Sequence, residues 1–207
     1  SLVSGLQAAG RIGRLRAALT NNRSGYVFVV AHRGDWRNAP ENSVSAIKKA
    51  ADMGADMVEI DIQRTKDSVF VLMHDGSIDR MTNGKGNVAD YTAEELKKFR
   101  LRRADGSLSD EAIPTLEEAL EACRGRLLVN IDKGGDYLAG IEPVIRKTGT
   151  EDHVVLKGRN PVDVVRRHLA AYEDIIYMPV VDLDQEGAIP YVASFLSDFR
   201  PDAVEII

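Results

Sequence analysis

The sequence predicts an α/β protein of the (β/α)8 TIM-barrel class, and three observations carry that expectation. Short apolar runs rich in Val, Ile and Leu alternate with helix-length amphipathic segments along most of the chain, the pattern of a parallel sheet built from strand–helix–strand steps. Polar and ionisable residues collect where those apolar runs end, which is where a barrel of this kind carries its chemistry. No glycine-rich phosphate loop follows the first run, which counts against an open, doubly wound nucleotide-binding sheet. The whole chain, 1–207, reads as a single domain.

Taken in order, Leu6–Leu19 is a basic amphipathic helix, expected to pack on the domain rather than to lie on a membrane surface. Tyr26–Ala31 (YVFVVA) reads as a strand buried on both faces that delivers His32-Arg33-Gly34 at its end. A helix over about Asn42–Met53 follows, with Asn42 or Ser43 as N-cap and Gly54 as its stop. Met57–Gln63 and Ser68–Met73 are strands, the second ending at His74-Asp75. Residues 76–114 are rich in turns and charge and read as a small insertion after the third strand, with one helix start capped by Thr92. Beyond it the alternation is regular: helix Thr115–Cys123, strand Arg126–Ile131, helix Tyr137–Lys147, strand His153–Lys157, helix Pro161–Ala171, strand Asp174–Val180, helix Glu186–Phe199 and strand Asp202–Ile207. All are read as parallel. A full barrel takes ~250 residues, so an eighth strand and a last helix are expected to be missing and the C-terminal end to be truncated.

Composition narrows the function. A net charge of −5 argues against non-specific nucleic-acid binding. The single cysteine, Cys123, excludes an internal disulfide and a Cys-based zinc site, and its apolar neighbours suggest a buried structural thiol. No run approaches the ~18–20 apolar residues of a membrane span. Ser1–Asn22 lacks the continuous apolar stretch of an intact signal peptide. The expected compartment is periplasmic or secreted rather than cytoplasmic, and the expected partner a small molecule.

The chemistry is concentrated in Met57–Asp75. Residues two apart on a strand share a face, so Glu59 and Asp61 present two carboxylates side by side within an apolar run. Alone, such a pair is more often a solvent-facing strand side. Here it keeps company with His32, Arg33 and His74, and with Asn130, Asp132, Lys133 and Lys157 at later strand ends. Glu59, Asp61 and Asp132 are suited to one hard divalent cation, Mg²⁺ or Ca²⁺. Arg33, with Lys133 or Lys157, offers positive charge for a phosphate oxygen. Two histidines suit paired acid–base work near neutral pH. Together these describe phosphoester cleavage. Trp36 would line the substrate mouth or simply cover the barrel top. His153 and His168 read as structural or exposed, and Glu205 as a possible further site acid.

The runs His32-Arg33-Gly34, Pro40-Glu41-Asn42-Ser43, Glu59-Ile60-Asp61, His74-Asp75, Asp79–Gly86 and Pro114–Glu118 resemble the glycerophosphodiester phosphodiesterase family. The resemblance runs from about Val29 to Asp132. It implies a phospholipase-C-like phosphodiesterase barrel with an insertion after the third strand, and metal-dependent hydrolysis of glycerophosphodiesters to glycerol 3-phosphate and an alcohol, in glycerol and lipid metabolism. It also implies His32 and His74 as the acid–base pair, Arg33 as phosphate ligand, and Glu59 and Asp61 as metal ligands. Glu41 and Asn42 are placed as supports behind the site. The sequence departs from the family at the fourth strand, where Asn130-Ile131-Asp132-Lys133 replaces the usual Glu-x-Lys. The acid is shorter and the lysine follows it directly, which makes Lys157 a competitor of Lys133 for phosphate. Two alternatives stand beside this reading: phospholipase-C-like cleavage of a lipid headgroup through a cyclic phosphate, and a non-catalytic phosphodiester-binding module.

Overall fold

The computed structural model describes residues 10–21, 25–170, 174–198 and 201–207. Its elements, in chain order, are α1 (Arg11–Thr20), β1 (Val30–His32), α2 (Val44–Asp52), β2 (Met57–Arg64), β3 (Phe70–Leu72), α3 (Ala93–Leu96), α4 (Leu116–Cys123), β4 (Leu128–Asp132), α5 (Leu138–Thr148), β5 (Val154–Gly158), α6 (Val162–Leu169), β6 (Ile176–Val181), α7 (Ala188–Asp198) and β7 (Glu205–Ile206). Residues 6–9, Ala171 and Phe199 of the expected helices lie outside the described residues. The chain divides into two compact units, Phe28–Val129 and the remainder, with β4 carrying the backbone from one to the other.

In Phe28–Val129, β1 pairs parallel with β2, setting His32 opposite Glu59. The β2 strand is buried along both faces from Met57 to Ile62, as an uninterrupted apolar run requires. Its apolar members Val58, Ile60 and Ile62 are inaccessible, and so are most of Glu59 and Asp61. Helix α2 turns Ala46, Ile47 and Ala50 inward, and α4 does the same with Leu116, Ala119, Leu120 and Cys123. Ser43 caps α2, its Oγ accepting from the Ala46 N–H at 3.0 Å. Thr92 and Thr115 each open their helix with a reciprocal capping box to Glu95 and Glu118. The insertion builds its own small core from Ile78, Met81, Val88, Leu96, Leu101 and Ile113 against Val71 and Met73.

Two expectations fail here. The run Tyr26–Ala31 is not a strand buried on both faces. Only Val30–His32 is extended in the sheet, and Tyr26, Val27, Val29 and Val30 are exposed. Among the described residues β1 has β2 as its one strand neighbour, so its other side has nothing to bury against. Nor is β3 a parallel strand reached through a helix. It pairs antiparallel with β2, Ile62 opposite Leu72. The connection Thr65–Val69 is a tight turn, closed by the Thr65 N–H on the Val69 carbonyl at 2.9 Å, and a parallel return needs a dozen or more residues.

In the remaining unit, β5, β6 and β7 pair in parallel, with Val155 opposite Ile176 and Val180 opposite Glu205. The basic helix α1 belongs to this unit and buries Ile12 and Leu15. Its Arg16 donates to the carbonyls of Asp152 and Asp174. Tyr177 and Phe195 stack at 5.9 Å between centroids. No helix among the described residues is long and apolar enough to cross a membrane.

Candidate active site

The Phe28–Val129 unit gathers its ionisable groups around Glu59 and Asp61. Chain direction changes sharply after β1: Arg33 has φ 56° and Gly34 φ 77°. The second position has to be glycine, because a Cβ there would lie 2.7 Å from Ala46 of α2. This turn drops the Arg33 N–H onto Glu59, 3.0 Å from its carbonyl and 3.1 Å from Oε2. Asn42 also adopts a positive φ, 55°, a region Asn tolerates better than most residues. Its amide then grips Asp61 twice: Nδ2 donates to Oδ2 at 2.8 Å, and Oδ1 accepts the Asp61 N–H at 3.1 Å.

The antiparallel return of β3 brings the Met73 N–H to the Asp61 carbonyl at 3.1 Å, which sets His74 beside the same stretch of β2. Gln63 holds the His74 carbonyl at 3.1 Å. His32, at the end of β1, is largely exposed, with Nε2 3.9 Å from Glu59 Oε2.

From Asp61 a continuous series of alternating charges runs to Asp75 and ends on the His74 ring. Arg33 Nε lies 3.1 Å from Asp61 Oδ2, close enough for an ion pair though misaligned for a hydrogen bond. Arg33 Nη1 donates to Glu41 Oε1 at 3.2 Å. The same Glu41 oxygen accepts from Arg80 Nη2 at 2.7 Å, and Arg80 Nε donates to Asp75 Oδ2 at 2.6 Å. Asp75 Oδ1 lies 2.7 Å from His74 Nδ1. The hydrogen bond from Arg80, helped by His74 and opposed by partial burial, pulls the Asp75 carboxyl down to about 2. Burial would raise Glu41, but Arg80 and Arg33 outweigh it and hold its carboxyl low. Asp75 is therefore an acceptor, the shared proton belongs on His74 Nδ1, and Nε2 has no hydrogen-bond partner among the described residues. Arg33 Nη2 has no partner among the described residues.

The second unit holds a smaller cluster. Lys157 on β5 lies 2.7 Å from Asp132 Oδ1 and 3.1 Å from Glu205 Oε2. Burial would lower the ammonium, but these two carboxylates outweigh it and raise it above its ordinary value. Lys133 leaves β4 with φ 58° and is exposed. Asp132, Lys133, Asp136, Lys157, Arg159 and Glu205 line one cavity of about 470 Å³. Gly158 and Gly135 back onto each other there; a Cβ on Gly158 would stand 2.9 Å from the Gly135 Cα.

Other residues find structural places. His153 is buried against Asp152 at 2.6 Å. His168 Nδ1 meets the Val164 carbonyl. Burial pushes the Cys123 thiol far up, so it stays protonated and inert. Trp36 is exposed, stacked under Arg37. Asp75 and Arg80 have no assigned role in the sequence reading, although both lie in runs that carry the resemblance. A signal was present in the short His74-Asp75 and Asp79-Arg80 pairs, but their meeting depends on the loop between them.

Glu59 and Asp61 fit a hard cation: both are buried, both are oxygen donors, and Asp61 keeps Oδ1 free of hydrogen bonds among the described residues while Oδ2 is held.

The model of the glycerophosphoryl diester phosphodiesterase family matches residues 32–172. A glycerophosphodiester phosphodiesterase of Caldanaerobacter subterraneus is 43% identical over 141 residues, 64% of this chain and 58% of that protein. Glycerophosphodiester phosphodiesterase 1 of Mus musculus is 44% identical over 113 residues, 53% of this chain and 34% of its own. The chain thus spans roughly a third to three fifths of the length of these relatives. A crystal structure of a glycerophosphoryl diester phosphodiesterase from Parabacteroides distasonis superimposes with a TM-score of 0.78 at 27% identity, covering 94% of this chain and 67% of that one. The α/β fold with parallel strands is common to both.

Proposed function

The chain belongs to the glycerophosphoryl diester phosphodiesterase family, and from that premise we propose that it hydrolyses glycerophosphodiesters to glycerol 3-phosphate and an alcohol with the help of one divalent cation. The observation that carries the reading is the connected series Asp61–Arg33–Glu41–Arg80–Asp75–His74. It joins the proposed phosphate ligand, a proposed metal ligand and a proposed proton carrier within one unit.

Glu59 and Asp61 would hold the cation, with Asp132 as third ligand on the family pattern. Bound Mg²⁺ or Ca²⁺ would withdraw charge from a non-bridging phosphate oxygen. Arg33, anchored by Glu41 and Asp61, turns its free Nη2 to a second oxygen. His74 Nε2 takes the proton of the attacking water as its oxygen bonds to phosphorus. The developing imidazolium is stabilised by Asp75. His32 gives a proton to the alcohol oxygen as the bond from phosphorus to that oxygen breaks. Lys157 or Lys133 would balance the remaining phosphate charge. Buried carboxylates and a fixed imidazole favour this hydrolase over a mere binding module, which needs no proton carrier.

The test is release of glycerol 3-phosphate from glycerophosphocholine and glycerophosphoinositol with Ca²⁺, with Mg²⁺ and with EDTA, alongside His32→Ala and His74→Ala. Metal-dependent release that either substitution abolishes is the expected result. Accumulation of a cyclic phosphate would move the reaction to the phospholipase-C type. Binding without turnover would leave a binding module.

A further inference from the structure

The Phe28–Val129 unit has a second recess that the proton transfers do not use. It encloses about 330 Å³ and is lined by Trp36 and Glu41 together with Arg80, Arg102, Arg103 and Gly106 of the insertion. Its three arginines face a single glutamate. Arg80 is already matched by Glu41 and Asp75. Arg102 and Arg103 form no such close ion pairs among the described residues. Arg102 donates from Nε to the Thr82 carbonyl at 3.0 Å and from Nη1 to the Gly106 carbonyl at 3.1 Å. Arg103 donates from Nη1 to the Leu108 carbonyl at 2.9 Å. Arg102 has no acidic partner among the described residues, and Arg103 feels only the exposed Asp105 carboxylate, without a close ion pair to it.

This differs from an ordinary surface arginine. A guanidinium oriented by neutral carbonyls is fixed in place yet keeps its full charge, with Nη2 left to donate. Two adjacent ones, in a chain whose net charge is −5, make a local positive site in a recess that an exposed indole also lines. The recess also shares walls with the reaction centre: Glu41 touches Arg33, and Arg80 touches the Asp75 that holds His74.

We propose that this recess receives the alcohol half of the diester and selects alcohols bearing a second anionic group, a phosphate monoester or a carboxylate. Arg102 and Arg103 bind that group, and Trp36 covers the carbon chain. The proposal rests on the hydrolase reading, since the alcohol is defined by the bond that breaks. It goes beyond that reading in naming the substrate class.

The experiment compares kcat/KM for glycerophosphoglycerol, for the same compound carrying a terminal phosphate monoester, for glycerophosphoserine and for glycerophosphocholine. The phosphate-bearing compound is expected to lead glycerophosphoglycerol by about tenfold, as one well-placed charged contact provides. That ratio shrinks as ionic strength rises from about 20 to about 200 mM. In Arg102→Gln/Arg103→Gln the ratio falls to about twofold or less. Arg103→Gln alone removes one exposed side chain with a single backbone bond, and gives an intermediate ratio even if the double variant fails to fold. A matching preference for glycerophosphoserine extends the class to carboxylates; its absence narrows the class to phosphates. Equal kcat/KM for all four compounds, or a preference that Arg103→Gln leaves intact, overturns the proposal. If no diester is cleaved, the hydrolase reading fails instead. Calorimetric binding of the phosphate-bearing compound against glycerophosphoglycerol then decides the recess by itself, with equal affinity overturning it.

Discussion

The two units neutralise buried charge in different ways. In Phe28–Val129 the charges alternate through five side chains and end on His74, and each arginine bridges two acids: Arg33 between Asp61 and Glu41, Arg80 between Glu41 and Asp75. In the other unit a lone ammonium, Lys157, sits between Asp132 and Glu205, and the series stops there. A guanidinium is a planar fork whose two edges are fixed relative to each other, so it passes orientation from one acid to the next. An ammonium is a point charge on a flexible stem and passes on only charge. The first cluster is thus built to position groups, and the second to balance them.

The sharpest way to break this contrast is at the buried end of the series. Asp61→Asn keeps the Asn42 contact nearly isosteric but removes the charge that faces Arg33 and the proposed cation. The loss in kcat is expected to reach about 10³-fold. Stability should fall by about 3 kcal/mol, because Arg33, itself mostly buried, is left with one acid instead of two. Steady-state kinetics and urea unfolding measure the two together. Wild-type stability in the variant would mean that Arg33 does not depend on Asp61.

Arg80→Met tests whether orientation really travels. It takes away no proposed ligand and no proton carrier, yet it frees Asp75 and hence His74. The expected outcome is a fall in kcat of about 10- to 100-fold, the range seen for groups that orient a reacting side chain from behind. KM should stay within about threefold, and Arg80→Lys should recover only part of the loss, because a lysine has no second edge. Nitrogen NMR of His74 provides a readout apart from activity: the proton should leave its fixed place on Nδ1. An unchanged tautomer with unchanged kcat would reduce Arg80 to a surface ion pair.

In the second cluster the effects should be smaller and fall on KM. Lys157→Met is expected to raise KM about tenfold if this ammonium serves the phosphate, and Lys133→Met about two- to threefold. Lys157 is held by Asp132, whereas Lys133 is exposed on a left-handed residue. The reverse order would assign the phosphate to Lys133.

Much of this site could be read from the sequence, for reasons that differ by residue. Glu59 and Asp61 share a strand face because strand periodicity is fixed at two, and nothing elsewhere in the fold can alter that. Thr92 announced its helix because capping is local. The direction of β3 was read wrongly as parallel, since an apolar run has the same composition whichever way it pairs; only the short turn Thr65–Val69 betrays it. The run YVFVVA was read as buried because composition cannot say whether a strand has neighbours on both sides. The sequence showed the residues of the Asp75–Arg80–Glu41 link in short runs but not their meeting. Glu41 and Arg80 are 39 residues apart, and both lie on segments without period. Lys133 was left undecided because its side-chain direction depends on a backbone φ of 58°, which no pattern of neighbours specifies.

The smallest expected effect concerns acid. Asp75 is drawn down to about 2 from an ordinary 3.8, and Glu41 is lowered as well, chiefly through Arg80 against the cost of burial. A carboxyl depressed in the folded state contributes stability that is fully present above its unfolded value and is lost as pH falls through its folded value. For Asp75 the window runs from about pH 4 down to about 2. Wild-type protein should therefore keep this contribution at pH 4 and surrender it gradually below. Arg80→Met lets both carboxyls move back toward their ordinary range, so its acid-unfolding midpoint, followed by circular dichroism, should lie higher than that of wild type. The displacement should be modest, because Arg80 and Asp75 are partly exposed and such pairs contribute about 0–1 kcal/mol. Lys157→Met removes the ammonium that sits between Asp132 and Glu205 and provides the matching test in the second cluster. A midpoint that moves for Arg80→Met and stays still for Lys157→Met would separate the clusters more sharply than their geometry does. Equal displacement would show that, for stability in acid, a fork and a point charge are interchangeable, and would confine the difference between them to the positioning of His74.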